Sequence, residues 1–168
     1  MQNVTPLELA RTLYAENLAP IPIHAGTKRP ATKWKRFQTT GPDAQQLPLL
    51  FERDNITVGV LCGAASDRLL VLDCDNAEAF GRALAALKDP DTHIIQTGRK
   101  GGAHIYVRTP VPVKTTRIDG LDAKAQGAYV LAPGAMHPSG VRYKWMHRAP
   151  TIYEWPIVTG KQIGRAHV

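Results

Sequence analysis

An unbroken apolar run followed by two carboxylates constrains the fold of this chain more than any other feature. Four apolar residues, 69–72, come directly before the segment that carries Asp73 and Asp75. A run without polar alternation is typical of a central strand that is buried on both faces. Side chains two apart on an extended strand point to the same face, so we expect both carboxylates at one point beyond the strand end.

Two carboxylates held this close repel each other, and one would be driven to protonate unless a cation lies between them. A divalent metal ion bound by oxygen ligands is the simplest source of that positive charge. The alternative is that Asp73 and Asp75 stay solvated and cap the helix that follows. The stretch by itself supports the two interpretations equally.

Length and composition indicate one globular domain. The chain has 168 residues, of which 43% are hydrophobic, an ordinary globular composition. No apolar run approaches the roughly 20 residues that span a membrane, and the N-terminus lacks a signal-peptide pattern. Cys62 and Cys74 are the only cysteines and form no CxxC pair, which excludes a structural zinc ribbon. We therefore expect a cytoplasmic protein without a membrane partner.

A basic segment with interleaved aromatic residues lies near the N-terminus. The whole chain carries a net charge of +7, and five of the nine residues 28–36 are basic. Such segments are typical of grooves that bind single-stranded nucleic acid. The candidate nucleic-acid-binding residues are Lys28, Arg29, Lys33, Trp34 and Arg36. The alternative is a solvated loop whose aromatic residues anchor it to the core.

Periodicity and capping residues predict the remaining elements. Thr5 and Asn76 are expected to cap helices that begin at the next residue, and a poorer helix over 42–53 is expected to be interrupted by Pro48. Pro22 places the first predicted strand at a sheet edge. The predicted strands besides the central one cover 20–24, 56–61, 92–97, 103–108, 117–121, 127–131 and 141–145.

A glycine-rich turn, 98–102, joins the strands predicted over 92–97 and 103–108. Three glycines allow a ligand to approach the backbone, and Arg99 and Lys100 add positive charge, so the turn together with His104 could bind a polyphosphate. It is not a P-loop, because GxxxxGK[ST] is absent. An ordinary hairpin turn and a structural histidine are the alternative.

A third carboxylate, Asp122, follows the strand predicted over 117–121 much as Asp73 follows the central strand. At the end of a second strand it could complete a metal cage of three carboxylates. In isolation, an ordinary surface aspartate is the better interpretation.

The order of these segments resembles the primase-polymerase (prim-pol) branch of the archaeo-eukaryotic primase superfamily, found in phage and plasmid replication proteins. The resemblance runs from about Leu9 to Trp155 and depends on the order and spacing of several short segments. These segments are 26–31, 55–60, 72–75, 97–104, 122–124 and 132–140, followed by Tyr143 and Trp145.

The resemblance implies an α/β (α+β) fold, with an RRM-like catalytic core of a mainly antiparallel or mixed sheet and flanking helices. It implies a nucleotidyltransferase of the primase type that extends a 3′-hydroxyl on a DNA template by a two-metal mechanism. The implied partners are single-stranded DNA template, primer and nucleoside triphosphates. The implied cofactors are two Mg²⁺ or Mn²⁺ ions.

The resemblance also implies roles for individual residues. The acidic pair and the third carboxylate, which together hold the two metal ions, correspond to Asp73, Asp75 and Asp122. His104 matches the histidine that contacts the phosphates of the incoming nucleotide, and Lys124 matches a basic residue beside the third acid. Arg99 and Lys100 are expected to contact the nucleotide as well, although a loop this basic could instead contact template.

Two departures from the family pattern affect these assignments. Gly102 stands where the wider superfamily often has serine, so one phosphate contact could come from the backbone instead. Ala125 and Gln126 replace a glycine-rich continuation that is frequent after the third acid, which leaves the loop geometry open.

Two other classes of function remain compatible with the sequence. A metal-dependent nuclease would use the same acidic cage but would not require nucleoside triphosphates. A non-catalytic single-strand binder on an RRM-like sheet usually shows several stacking aromatic residues on adjacent strands. Tyr106 stands nearly alone on its predicted strand, and the acidic set is intact, so the binder is the weaker of the two.

The expected domain organisation is one prim-pol catalytic domain over residues 1–160, truncated at its C-terminus. Residues 163–168, Ile-Gly-Arg-Ala-His-Val, match the translation of a sequencing adapter, so we expect them to be non-native. A replicative helicase is expected either in the same full-length chain or in trans.

Overall fold

The computed structural model describes residues 4–111, 113–118 and 120–156. The predicted tail at 163–168 and the end of the predicted domain lie outside these residues. The α-helices are α1 (Pro6–Ala15), α2 (Gln46–Phe51) and α3 (Ala77–Leu87), with short 3₁₀ helices at Trp34–Phe37 and Ala64–Ser66. The strands are β1 (Ala19–His24), β2 (Ile56–Leu61), β3 (Leu69–Cys74), β4 (Ile94–Gln96), β5 (Ala103–Arg108), β6 (Thr116–Ile118), β7 (Leu121–Lys124), β8 (Tyr129–Leu131), β9 (Lys144–His147) and β10 (Tyr153–Glu154). Over these ranges, no helix is long and apolar enough to cross a membrane.

The strands form two sheets. A three-stranded antiparallel sheet has the order β1-β2-β8, and β1 lies at its edge, as Pro22 predicts. A seven-stranded sheet has the order β6-β7-β3-β5-β4-β9, with β10 pairing in parallel to β5. Apart from β10, neighbouring strands are antiparallel. The predicted mixed α/β class with mainly antiparallel sheets is therefore confirmed.

The strand predicted at 69–72 is central. β3 lies between β5 and β7, and its four apolar residues are at most 1% exposed. Leu70 and Leu72 face the cluster formed with α3, whereas Leu69 and Val71 face the cluster shared with the three-stranded sheet. Because side chains alternate along a strand, Asp73 lies on the face of Leu69 and Val71, toward the smaller sheet.

Both predicted N-caps are confirmed. The Thr5 hydroxyl accepts a hydrogen bond from the Glu8 amide at 3.1 Å, and the Glu8 carboxylate accepts one from the Thr5 amide at 3.0 Å. The Asn76 side chain accepts one from the Ala79 amide at 2.9 Å. These bonds satisfy amides that the first turn of a helix leaves without partners, so α1 and α3 begin where the sequence predicts.

Several predicted boundaries are wrong. The single strand expected over 117–121 is two strands, β6 and β7, because Gly120 adopts φ +81° and reverses the chain. Pro48 lies in the first turn of α2 and does not interrupt it, since amides in that turn have no intrahelical partner. The strand expected over 141–145 is shifted to Lys144–His147, and β10 was not predicted.

Candidate active site

Charged side chains form a row across the large sheet. Asp73 on β3 pairs with His104 on β5 and with Asp122 on β7, and Asp122 pairs in turn with Arg117 on β6. Residues directly opposite each other on neighbouring strands point to the same face and touch. The strand register therefore brings together Asp73, His104 and Asp122, which the sequence analysis identified in three separate segments. It also adds Arg117, which was not predicted.

The His104 side chain is buried beside Asp73. It is 4% exposed, and its Nε2 lies 3.3 Å from Asp73 Oδ1. Within the described ranges, its buried Nδ1 has no hydrogen-bond partner, so Asp73 is the charged neighbour that this ring contacts. Burial alone would raise the pKa of Asp73, but the contact with His104 and the charges of Lys124 and Lys28 outweigh it, so this pKa lies below its usual value.

The other two carboxylates share one cation. The Arg117 guanidinium lies 2.9 Å from Asp75 Oδ2 and 2.9 Å from Asp122 Oδ2. Arg99 approaches Asp75 on its other oxygen at 3.6 Å, and Lys124 Nζ lies 3.7 Å from Asp122. Sequence reasoning missed Arg117 because it treated 117–121 as one strand. Recognising a hairpin turn at Gly120 would have placed Arg117 opposite Asp122.

The acidic side chains are not gathered into a closed cage. Among the described residues, no group of three or more Asp, Glu, His or Cys side chains lies close enough to hold a metal ion. Asp73 contacts His104, whereas Asp75 contacts Arg117 and Arg99, so the two carboxylates of the pair have different partners. The three carboxylates are nevertheless the kind of oxygen ligand that Mg²⁺ and Mn²⁺ prefer. The cation between Asp75 and Asp122 is the exposed side chain of Arg117.

A pocket of about 70 Å³ opens above this row, between the two sheets. Its charged residues are Asp73, His104, Lys124 and Lys28. The remaining lining residues are Tyr129, Val130, Leu131 and Tyr143. Both walls of the pocket therefore carry a lysine, one from β7 and one from the loop after β1, and an anion entering it meets positive charge from two sides.

The basic segment divides into two parts. The carbonyl of Lys28 accepts a hydrogen bond from the Tyr129 hydroxyl at 2.7 Å, which ties this residue to the pocket wall. Trp34 packs edge-on against Tyr129 with ring centroids 5.0 Å apart, and Phe37 is buried. The aromatic residues thus anchor the segment to the core, as the alternative interpretation has it. The exposed cations of the segment are Lys28, Arg29, Lys33, Lys35 and Arg36, of which Lys28 also lines the pocket.

The glycine-rich turn is closed by its own backbone. The Gly102 amide donates to the Arg99 carbonyl at 2.9 Å, and the Thr97 amide donates to the Gly102 carbonyl at 3.2 Å. A Cβ at Gly102 would lie 2.5 Å from Thr97 Oγ1, which explains glycine at this position. The Gly102 amide is engaged within the turn, so the backbone phosphate contact expected from it is not available in this arrangement. Arg99 and Lys100 are exposed.

The loop after the third acid has a defined geometry despite its departure from the family pattern. The Gln126 side chain accepts a hydrogen bond from the Ala64 amide at 2.8 Å and donates one to the Gln38 carbonyl at 3.1 Å. The Ala125 amide donates to Thr115 Oγ1 at 3.0 Å. The Gln126 side chain thus links the loop after β7 to the segments that contain Ala64 and Gln38.

Tyr106 cannot act as a stacking platform for a nucleobase. Its side chain is 0% exposed and belongs to the core shared by the two sheets. Sheet surfaces that bind single strands present their aromatic residues to solvent. The central strand β5 therefore lacks the feature that an RRM-type binder needs at this position.

Comparison with protein families identifies the family to which this fold belongs. The family model described as bifunctional DNA primase/polymerase, N-terminal, matches residues 10–157. Comparison with curated protein sequences gave no match. The matched span contains every residue of the charged row and both sheets, and the family supports DNA primase/polymerase activity in general, with DNA and nucleotides as substrates. The chain therefore belongs to the family of bifunctional DNA primase/polymerase N-terminal domains.

Proposed function

We propose that this domain catalyses template-dependent transfer of a nucleotide to a primer 3′-hydroxyl by a two-metal mechanism. The observation that carries the proposal is the in-register row of Asp122, Asp73 and His104, with Asp75 beside it. A pocket with a lysine on each wall lies above the row. Carboxylates that would bind metal ions, together with basic side chains, suit a reaction on a negatively charged phosphate chain.

The carboxylates of Asp73, Asp75 and Asp122 would hold Mg²⁺ or Mn²⁺, because carboxylate oxygens are the ligands that these ions prefer. When bound, such ions lower the pKa of the primer hydroxyl and offset the charge of the triphosphate. Arg117 occupies the position between two of these carboxylates, so it leaves that position when a metal ion is held there.

The remaining residues bind and orient. Lys124 and Lys28 attract the phosphate chain into the pocket and offset its charge. Asp73, 3.3 Å from His104 Nε2, would accept a hydrogen bond from that nitrogen and so orient the histidine ring beside the reacting phosphate. Arg99 and Lys100, exposed on the glycine-rich turn, add positive charge at the pocket mouth.

The template strand meets the exposed part of the basic segment. Arg29, Lys33 and Arg36 are outside the pocket, and exposed cations of this kind bind a nucleic-acid backbone without reading sequence. The reaction would serve replication of a phage or plasmid in the cytoplasm. A replicative helicase, in the same chain or in trans, would supply the single-stranded template.

The test is primer extension with and without nucleoside triphosphates. Wild-type protein is expected to lengthen a labelled primer when Mg²⁺ or Mn²⁺ is present and to stop when the metal is chelated. Asp122→Asn should reduce the rate at least about a hundredfold. Asp43→Asn, which changes an exposed carboxylate in the loop before α2, is the matched control.

Two outcomes would contradict the proposal. Full activity of Asp122→Asn would remove this carboxylate from the reaction. Shortening of the primer by the wild-type protein, without nucleoside triphosphates, would identify a nuclease that uses the same acids.

A further inference from the structure

His137 lies close to the charged row but has no part in the mechanism described so far. Its ring stacks on Tyr143, with centroids 6.0 Å apart and planes inclined by 18°. Tyr143 in turn lies edge-on to His104, with centroids 5.6 Å apart. One aromatic ring therefore separates His137 from the histidine of the row.

The hydrogen bonds of His137 fix its tautomer. The Ser139 amide donates to His137 Nδ1 at 3.0 Å, and the Ser139 hydroxyl lies 2.8 Å from the same nitrogen. A ring nitrogen that accepts from a backbone amide cannot carry a proton, so the proton of the neutral ring is on Nε2. In the part of the chain that the structure describes, Nε2 has no hydrogen-bond partner, and it is therefore a free donor.

The surroundings of this donor are positively charged. Burial, and then the charges of Lys28 and Arg99, lower the pKa of His137. The neutral form of the ring offers one N–H, and Lys28 and Arg99 are near enough for their charges to act on it. A fixed donor near two cations suits an anion with several oxygens, such as a phosphate.

Packing holds the ring against the glycine-rich turn. A Cβ on Gly98 would lie 2.3 Å from His137 Cγ, closer than two carbon atoms can approach. Glycine at this position thus lets the ring rest on the backbone of the turn that carries Arg99. The donor therefore lies beside the turn on which Arg99 is located.

We propose that His137 Nε2, with Lys28 and Arg99, binds the phosphate chain of the incoming nucleoside triphosphate. This inference rests on the proposed function and names a binding residue that the mechanism above does not include. The nucleotide is favoured over the template strand because Lys28 also lines the pocket of Asp73 and His104, where the reacting phosphate must lie. His137 would hold the part of the chain that extends beyond that pocket.

Three variants test the proposal. His137→Phe keeps a ring that can stack on Tyr143 but removes the donor, whereas His137→Gln keeps an N–H. His147→Phe is the matched control, because His147 lies on β9 and contacts Asp91, at 2.6 Å, outside the row. Melting temperatures show that each variant is folded, and His137→Leu replaces the phenylalanine variant if that one unfolds.

The expected result is a rise of about tenfold in KM for the nucleoside triphosphate in His137→Phe. His137→Gln should show a smaller rise, and His147→Phe none. Calorimetric titration with dATP and dAMP supplies a readout without chemistry. Affinity for dATP should fall in His137→Phe, whereas affinity for dAMP should not, because the monophosphate is too short to reach His137.

The outcomes separate this inference from the proposed function. If the wild type extends primers but His137→Phe shows an unchanged KM and an unchanged dATP affinity, the role of His137 is overturned. The proposed function is not affected by that result. Weaker binding of primed template, at constant KM, would place His137 on the DNA strand and also overturn it. If the wild type extends no primer, the proposed function is wrong, and the dATP titration still decides whether His137 binds a triphosphate.

Discussion

The two faces of β3 illustrate how one strand serves two purposes. On the face toward α3, Leu70, Leu72 and Cys74 are buried among apolar residues along the whole strand. On the opposite face, Leu69 and Val71 are equally buried, but the next position in the alternation is Asp73. The first face therefore contributes only packing. On the second face, Val71 belongs to the core and Asp73, two residues later, belongs to the candidate site.

This difference shows that Asp73 and His104 are shielded from water by the apolar residues on the same face of the sheet. Asp73 and His104 lie at the edge of a core formed by both sheets, so they are shielded from water without being enclosed. Low local dielectric strengthens the charge contact between these two residues. Arg117, by contrast, is exposed, so its contacts with Asp75 and Asp122 contribute little to stability.

The largest expected effect is loss of activity without loss of fold. Asp73→Asn keeps the size of the side chain but removes the charge that faces His104 and that, under the proposed function, would hold a metal ion. We expect primer extension to fall at least about a hundredfold while the melting temperature changes little. A variant that retains wild-type activity would show that the polar end of this face is structural.

A substitution on the other face of β3 should lower stability and leave the activity of the folded protein unchanged. Leu72→Ala removes a fully buried side chain from the α3 face and should lower the free energy of unfolding by about 2–5 kcal/mol. Because Leu72 points away from the row, the protein that remains folded should keep its rate per molecule. Urea unfolding followed by activity at low denaturant measures both quantities, and a lower rate per folded molecule would contradict the separation of the two faces.

A smaller effect is expected from the exposed half of the basic segment. Replacing Lys33 and Arg36 by glutamine should weaken binding of single-stranded DNA and reduce its salt dependence. Each lost phosphate contact lowers the slope of log affinity against log salt by about 0.7. Lys28→Gln is the comparison variant, since its position in the pocket predicts a change in KM for the nucleotide instead. An unchanged salt slope in the double variant would show that the exposed half does not bind the backbone.

The smallest expected effect is on stability at low pH. The pKa of Asp73 is lowered in the folded protein, so ionised Asp73 stabilises the fold at pH values above the unfolded pKa. This contribution is lost as the pH falls through the folded pKa, below the ordinary value of 3.8. Urea unfolding between pH 5 and pH 2 should therefore show a shallower loss of stability in Asp73→Asn than in wild type. Parallel curves would contradict the charge contact with His104.

Local signals predicted much of the architecture. The capping residues Thr5 and Asn76, the apolar run 69–72 and the edge position of β1 were all correctly inferred, because each depends on a few neighbouring residues. The hairpin at Gly120 was missed, since strands of three and four residues are too short to show a period. That one omission concealed the pairing of Arg117 with Asp122.

The sequence by itself determined which chemistry this protein carries: the carboxylates Asp73, Asp75 and Asp122, His104, and an excess of positive charge. Only the tertiary structure decided how they meet. Antiparallel register aligned Arg117, Asp122, Asp73 and His104 across four strands, although long stretches of chain separate Asp73 from His104 and both from the β6–β7 hairpin. Packing of the small sheet against the large one placed Lys28 in the pocket and left Lys33 outside it. Contacts between distant segments depend on how sheets pair and pack, which no local pattern of residues specifies.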